Sequence, residues 1–318
     1  PQIMKVYMRL VELNAQIDDE RAFTYLPKLE ELLRTTESAV DKALLNSSLA
    51  IIYQQYYQSE AWSINRKTDL ADDIIPEDIQ EWTKSTFANK IYEHLEASIK
   101  DKEALLKENA KSYDDIIELG EDSRTYRPTL YDFVMYENLE IAKQLKGMEG
   151  SDLASAGFTL EQLILPAKDF VKLSFAAKKS DLVFVYYQQY LASLLNRNMT
   201  SSVILLEIDK LRYLKNEYSE FSSEYLVKTL KNFEEIYRAD ETTVEIIDFL
   251  VDEIRVEQSS YISPRGYRYN NEKEREEEHR KVAQTKSEWL RKGIATYPKY
   301  RRIGILKNKL ANLEEPLL

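Results

Sequence analysis

Cysteine is absent from this 318-residue chain, and histidine occurs only twice. Disulfides, thiolate metal sites and cysteine nucleophiles are therefore excluded. Glycine and proline are scarce, at 7 and 8 residues. An all-β architecture needs many tight turns, and that scarcity disfavours it. The sequence shows neither a membrane span nor a signal peptide. The chain opens at Pro1 without an initiator methionine, so removal of an upstream segment is expected and the missing signal says little about compartment. Basic residues number 44 against 55 acidic ones, a net charge of -11. Such a chain repels phosphate backbones, so nucleic acid is not an expected partner.

What is present reads as globular. Hydrophobic residues make up 43% and charged residues 31%, outside the disordered range. The length allows a sizeable core, as one elongated array or two subdomains. Tyrosine is abundant, at 22. Its large ring and polar tip suit helix seams that are not fully dry, and a ligand-stacking surface is the alternative.

Helical periodicity dominates. Leu45, Leu49, Ile52 and Tyr56 share one helix face, as do Leu226, Leu230, Phe233 and Tyr237, and Ile204, Ile208, Leu211 and Leu214. Ser112 with Asp115, Thr159 with Gln162 and Thr242 with Glu245 read as capping boxes. Pro76 reads as a first helical turn followed by acids. The pattern predicts helices near 3–16, 18–34, 37–60, 76–100, 102–109, 112–119, 128–147, 159–177, 181–196, 202–219, 222–238, 242–258, 271–296 and 299–313. The expected fold class is all-α, with antiparallel helix pairs in a tetratricopeptide-like or α-solenoid array. Gly147, Gly150 and Gly157 cluster, which places a linker at 147–157 between subdomains 1–146 and 158–318.

Nothing here carries an evident catalytic motif. His94 beside Glu93 and Glu96, and His279 after Glu276, Glu277 and Glu278, do not form the pair of zinc ligands that shares one helix face. A solvated or capping role is expected for both. Phosphate-binding glycine loops and nucleophile elbows are missing. A helical glycan-active enzyme would use aromatics with paired carboxylates. Yet Asp72-Asp73 and Asp114-Asp115 are sequence neighbours that point apart on a helix. No metal, cofactor or catalytic residue is expected. Between Arg291 and Lys309 seven basic residues occur with no acid: Arg291, Lys292, Lys299, Arg301, Arg302, Lys307 and Lys309. They form either a solvated helix face or a contact surface for an acidic neighbouring domain.

Several segments carry a family resemblance. Tyr56-Tyr57-Gln58 is followed by Trp62 and Asn65-Arg66, then Asp78-Ile79 before Trp82 and Phe87, then Arg127 through Phe133, including Tyr131. Near the end come Tyr297-Pro298, Lys307-Asn308 and Glu315-Pro316. In order and spacing these segments resemble the N-terminal helical region of the large alpha-2-macroglobulin-like proteins of Bacteroidetes-type bacteria, most strongly over residues 45–145. The resemblance implies a non-catalytic helical module of an exported, periplasmic or cell-surface protein of a protease-inhibitor family. Its partners would be the following macroglobulin-type domains or another envelope protein. The thioester motif Cys-x-x-Glu-Gln and the bait region of that family are missing here, which separates this chain from direct protease trapping. A free-standing helical-repeat adaptor is the alternative. Read from the residues alone, Trp62 and Trp82 anchor helix seams, Pro128 fits a first helical position, and Arg127 reaches a carboxylate or carbonyls nearby.

Overall fold

The computed structural model describes residues 23–68, 75–117, 120, 122–149, 158–175, 182–256 and 272–314. The expected helix at 3–16, most of the expected linker, the Asp72-Asp73 pair and Glu315-Pro316 lie outside these residues. The fold is all-α, with fifteen α-helices and no strand among the described residues. They are α1 Leu26–Thr35, α2 Ala39–Ser59, α3 Ala61–Ile64, α4 Lys84–Ser98, α5 Lys102–Lys107, α6 Ser123–Tyr126, α7 Leu130–Glu149, α8 Leu160–Leu163, α9 Ala167–Phe170, α10 Leu182–Asn196, α11 Thr200–Glu217, α12 Ser223–Tyr237, α13 Thr243–Glu253, α14 Glu272–Thr296 and α15 Gly304–Glu314.

Local chemistry explains where these helices start and stop, and where the expectations move. The Ser38 hydroxyl accepts the Asp41 N–H at 3.2 Å and opens α2. The helix expected at 76–100 begins only at Lys84. Pro76 starts no helix; Asp78 caps a 3-10 turn at Ile79–Glu81, and Thr83 then caps α4. The helix expected at 159–177 breaks in two. Thr159 and Gln162 form the expected capping box, but Pro166 has no N–H to donate and disfavours a helical Leu165. Ser112 opens no helix, because Asn109 caps a 3-10 turn at Ala110–Tyr113. Thr242 makes no side-chain cap; Asp240 accepts its N–H at 2.8 Å. Pro128 stands just before α7 rather than in it. Thr129 caps that helix by accepting the Asp132 N–H at 3.3 Å, while Asp132 accepts the Thr129 hydroxyl at 2.6 Å. Asn198 turns the chain between α10 and α11 with φ 55°, a value asparagine tolerates.

Two compact units result, one from Pro1–Ala156 with Phe175–Tyr190, the other from Gly157–Ser174 with Leu191–Leu318. The division thus differs from the expected sequential one. The first half of α10 counts with the first unit, where Lys143 lies over the Tyr187 ring at 5.6 Å. In the first unit α2 is central and packs on α1, α4 and α7. Its buried residues lie all round the helix, including Asp41, Asn46, Ser47 and Gln54, as expected of a helix covered on every side. In the second unit sequential neighbours pack together, α12 on α13, α13 on α14 and α14 on α15. Val244, Ile247, Val251, Leu290, Tyr297, Tyr300, Ile303 and Leu306 form its apolar centre.

Candidate functional site

The motif residues of the first unit fall into three places. Tyr56, Tyr57 and Trp82 converge on one aromatic seam between α2 and α4. Trp82 is buried, and its indole N–H donates to the Pro76 carbonyl at 2.8 Å. Its ring stacks on Tyr53 at 5.4 Å and tilts against Phe87 at 5.1 Å. Tyr56 stacks on Phe87 at 5.6 Å, and the Tyr57 hydroxyl donates to Asn65 at 2.9 Å. Each such ring pair is worth about 0.5–1.5 kcal/mol beyond the area it buries. Arg127 and Tyr131 stand apart at the start of α7. The Arg127 guanidinium lies 3.4 Å from the Tyr136 ring centroid, and its charge offsets part of the rise that burial imposes on the Glu137 carboxyl. Tyr131 is buried beneath Lys102, at 5.1 Å.

Trp62 and Arg66 occupy the third place. Trp62 was expected to anchor a seam, but it is 75% exposed. The α2 helix ends at Ser59 and the short α3 turns the indole outward. Arg66 lies over the ring at 4.6 Å, one helical turn on. Beside this segment a cleft of about 830 Å3 is lined by Phe23, Tyr56, Ser59, Glu60, Ser63, Ile64, Lys67, Asp78, Ile79 and Gln80. Its charged groups are engaged locally. Glu60 accepts the Ser63 hydroxyl at 3.1 Å, Asp78 accepts the Gln80 N–H at 2.9 Å, and Lys67 donates to the Gln80 and Trp82 carbonyls. Such a cleft can bind, but its acids are not arranged as an acid and base pair.

A buried polar cluster escaped the sequence reading. His94 is 4% exposed, not solvated. Its neighbours Glu93 and Glu96 in sequence do face solvent, but α1 and α2 cover its own face. The Asn46 amide N–H donates to the Lys42 carbonyl at 2.7 Å, which leaves its oxygen to accept from His94 Nδ1 at 2.8 Å. His94 Nε2 lies 3.3 Å from Glu30 Oε1, which also accepts the Tyr53 hydroxyl at 2.9 Å. Lys90 stands 3.6 Å from the same oxygen. Burial raises the Glu30 carboxyl, but the His94 contact, Lys90 and Tyr53 together hold it down at about 2.

In the second unit the basic stretch turns inward. Lys292 pairs with Glu234 at 2.9 Å, Arg302 with Glu245 at 3.0 Å, and Lys309 with Asp248 and Asp252, each at 2.6 Å. Arg291 pairs with Glu314 at 2.6 Å, and the Tyr300 hydroxyl donates to Glu245 at 2.8 Å. Glu234 and Glu245 are buried, so these cations neutralise carboxylates that α12 and α13 carry into the packing. Lys299, Arg301 and Lys307 are exposed. Glu234, Glu245, Asp248 and Asp252 sit about sixty residues upstream of their partners, beyond the reach of local pattern reading.

The second unit also holds two fully buried charged side chains one turn apart on α11, Glu207 and Lys210. The Ala167 N–H donates to Glu207 at 2.6 Å, and Lys210 donates to the Leu165 carbonyl at 3.1 Å while lying 3.8 Å from the Phe170 ring centroid. The two side chains thereby satisfy the backbone groups on either side of Pro166, where the helix breaks. Burial pushes the Glu207 carboxyl up to about 7 and the Lys210 ammonium down to about 8. A signal was present: Glu207 falls on the apolar stripe of Ile204, Ile208, Leu211 and Leu214. Both side chains are enclosed by packing and engaged by the backbone, with Glu207 Oε2 left without a hydrogen-bond partner.

Among the described residues no cluster of three or more His, Asp or Glu could hold a metal, and no helix is long and apolar enough to cross a membrane. No family model, curated protein or solved structure matches the chain.

Proposed function

We propose that this chain is a non-catalytic helical interaction module, the N-terminal helical part of a bacterial alpha-2-macroglobulin-like protein. In this reading it is exported to the periplasm or cell surface. There it docks onto the following macroglobulin-type domains, or onto another envelope protein of a protease-inhibitor system. One observation carries the docking role. Of the residues that bear the resemblance, Tyr57, Trp82 and Tyr131 are consumed by packing and Tyr56 is stacked in the seam, whereas Trp62 with Arg66 faces outward. Exposed tryptophan and arginine are the side chains that most often anchor protein interfaces. The basic stretch supports the reading less, because Arg291, Lys292, Arg302 and Lys309 are paired within their own unit.

The test is Trp62→Ala in the longest natural form of the protein. Association between this region and its partner domain, read by titration calorimetry, should weaken at least tenfold, about 1.4 kcal/mol, while the melting temperature stays unchanged. Unchanged association would remove the surface from the reading. The origin of the module is tested separately: the coding sequence should continue past Leu318 into β-rich domains.

A further inference from the structure

We infer that the Trp62–Arg66 surface recognises a carboxylate carried beside an apolar side chain on a protein partner. This inference rests on the docking role proposed above and adds the chemistry of what docks. A guanidinium stacked on an indole keeps its five N–H donors in the plane of the fork, at its edge. The Arg66 guanidinium lies over the Trp62 ring, 4.6 Å from its centroid. Both residues are exposed, so the edge of the fork and much of the indole remain open to a partner. Arg66 has no carboxylate partner among the described residues, unlike Lys90 with Glu30, Arg124 with Asp114 or Lys143 with Glu140 in the same unit. Of the acids lining the cleft beside it, Glu60 is engaged by the Ser63 hydroxyl and Asp78 by the Gln80 N–H.

A carboxylate matches the fork in two parallel hydrogen bonds, an arrangement that a single backbone carbonyl does not reproduce. The indole supplies the apolar half of the contact. Contact between the two side chains restricts their rotamers before binding, so less freedom is lost on binding. The net charge of -11 does not oppose this contact strongly. Charges beyond about 8 Å are screened at physiological salt, whereas a bidentate pair sits well inside that distance.

The probe is a short capped peptide alternating glutamate with phenylalanine, paired with a glutamine counterpart of the same length. The readout is the indole N–H resonance of Trp62, with Trp82 and Trp289 as internal references. The glutamate peptide should shift the Trp62 signal saturably, with an affinity at least fivefold above that of the glutamine peptide. Arg66→Gln should abolish the difference. Arg66→Lys should reduce it, since an ammonium keeps the charge and loses the fork. Equal response to both peptides would overturn the carboxylate preference and leave the docking surface standing. No response to either peptide, together with unchanged partner association in Trp62→Ala, would overturn both.

Discussion

The two units solve one problem, the closing of helix seams, with different side chains. In the first, α2 and α4 meet through stacked rings whose polar tips are hydrogen-bonded, Trp82 to the Pro76 carbonyl, Tyr57 to Asn65 and His94 to Asn46. A half-buried carboxylate there, Glu30, is shared by Tyr53 and His94. In the second, α12 and α13 carry buried acids, Glu234 and Glu245, and the half-buried Asp248, which cations from α14, α15 and the turn between them neutralise: Lys292 on Glu234, Arg302 on Glu245, Lys309 on Asp248. The lesson concerns cost. A ring with a hydrogen-bonded tip brings apolar area with little charge to desolvate. A buried carboxylate must recover its lost hydration from its partner, so it is stabilising only while that partner stays.

The comparison breaks most clearly at Trp82. Trp82→Ala removes the indole that Tyr53 and Phe87 pack against and should cost about 3–5 kcal/mol. Denaturant unfolding followed by circular dichroism measures the loss, and hydrogen exchange should place it in α2 and α4. The matching test in the second unit is Gly293→Ala. An added methyl would stand 2.6 Å from Leu306 Cδ1 and 3.1 Å from Ile247 Cδ1. Overpacking of that kind costs about 1–3 kcal/mol, against a helix gain of about 1 kcal/mol from replacing glycine. A net loss of stability is expected, with faster exchange in α13–α15. A more stable variant would show that α15 can move aside.

Removing one charge sharpens the contrast. Lys292→Gln leaves Glu234, whose side chain is only 3% exposed, without its cation. The loss should be about 1–3 kcal/mol and should recover in Glu234→Gln/Lys292→Gln, because the buried charge is then gone. If the single and double variants lose equally, Lys292 acts by packing and the contrast between the units fails.

Acid titration separates the units by sign. Glu30 sits below its ordinary 4.5, at about 2. Its contribution is therefore present above pH 4.5 and is lost as the pH falls from 4.5 towards 2. Glu207 sits above its ordinary value, at about 7. Stability from that site is therefore full below pH 4.5 and is lost as the pH rises from 4.5 through 7. Exchange in α1 should accelerate below pH 4, and exchange near Ala167 should slow between pH 7 and 5. Glu30→Gln and Glu207→Gln should each remove one of these responses and leave the other. The smallest effect belongs to Trp62→Ala. At 75% exposure the substitution should change stability by no more than about 0.5 kcal/mol. A larger loss would mean that the indole packs after all.

The positions of most helices were readable from local pattern. Apolar spacing and caps depend on residues within one or two turns of each other, so α2, α7 and α12 appear close to where periodicity puts them. The breaks were less readable. The apolar run around Pro166 masks a proline whose cost is met by Glu207 and Lys210, forty and more residues away. The His94 neighbourhood looks solvated because Glu93 and Glu96 flank it, yet side chains one residue apart on a helix face different directions. Trp62 looks like an anchor because tryptophan usually is one, and only the end of α2 at Ser59 turns it outward.

The sequence by itself determined the all-α class, the exclusion of thiol chemistry and the placement of the principal helices. These follow from composition and from contacts between near neighbours. Tertiary structure alone decided which charges are buried, which aromatic faces solvent, and that the basic stretch meets the acids of α12 and α13. Those outcomes depend on which helix covers which face, and such pairings join residues tens of positions apart whose separate sequences look equally at home in water.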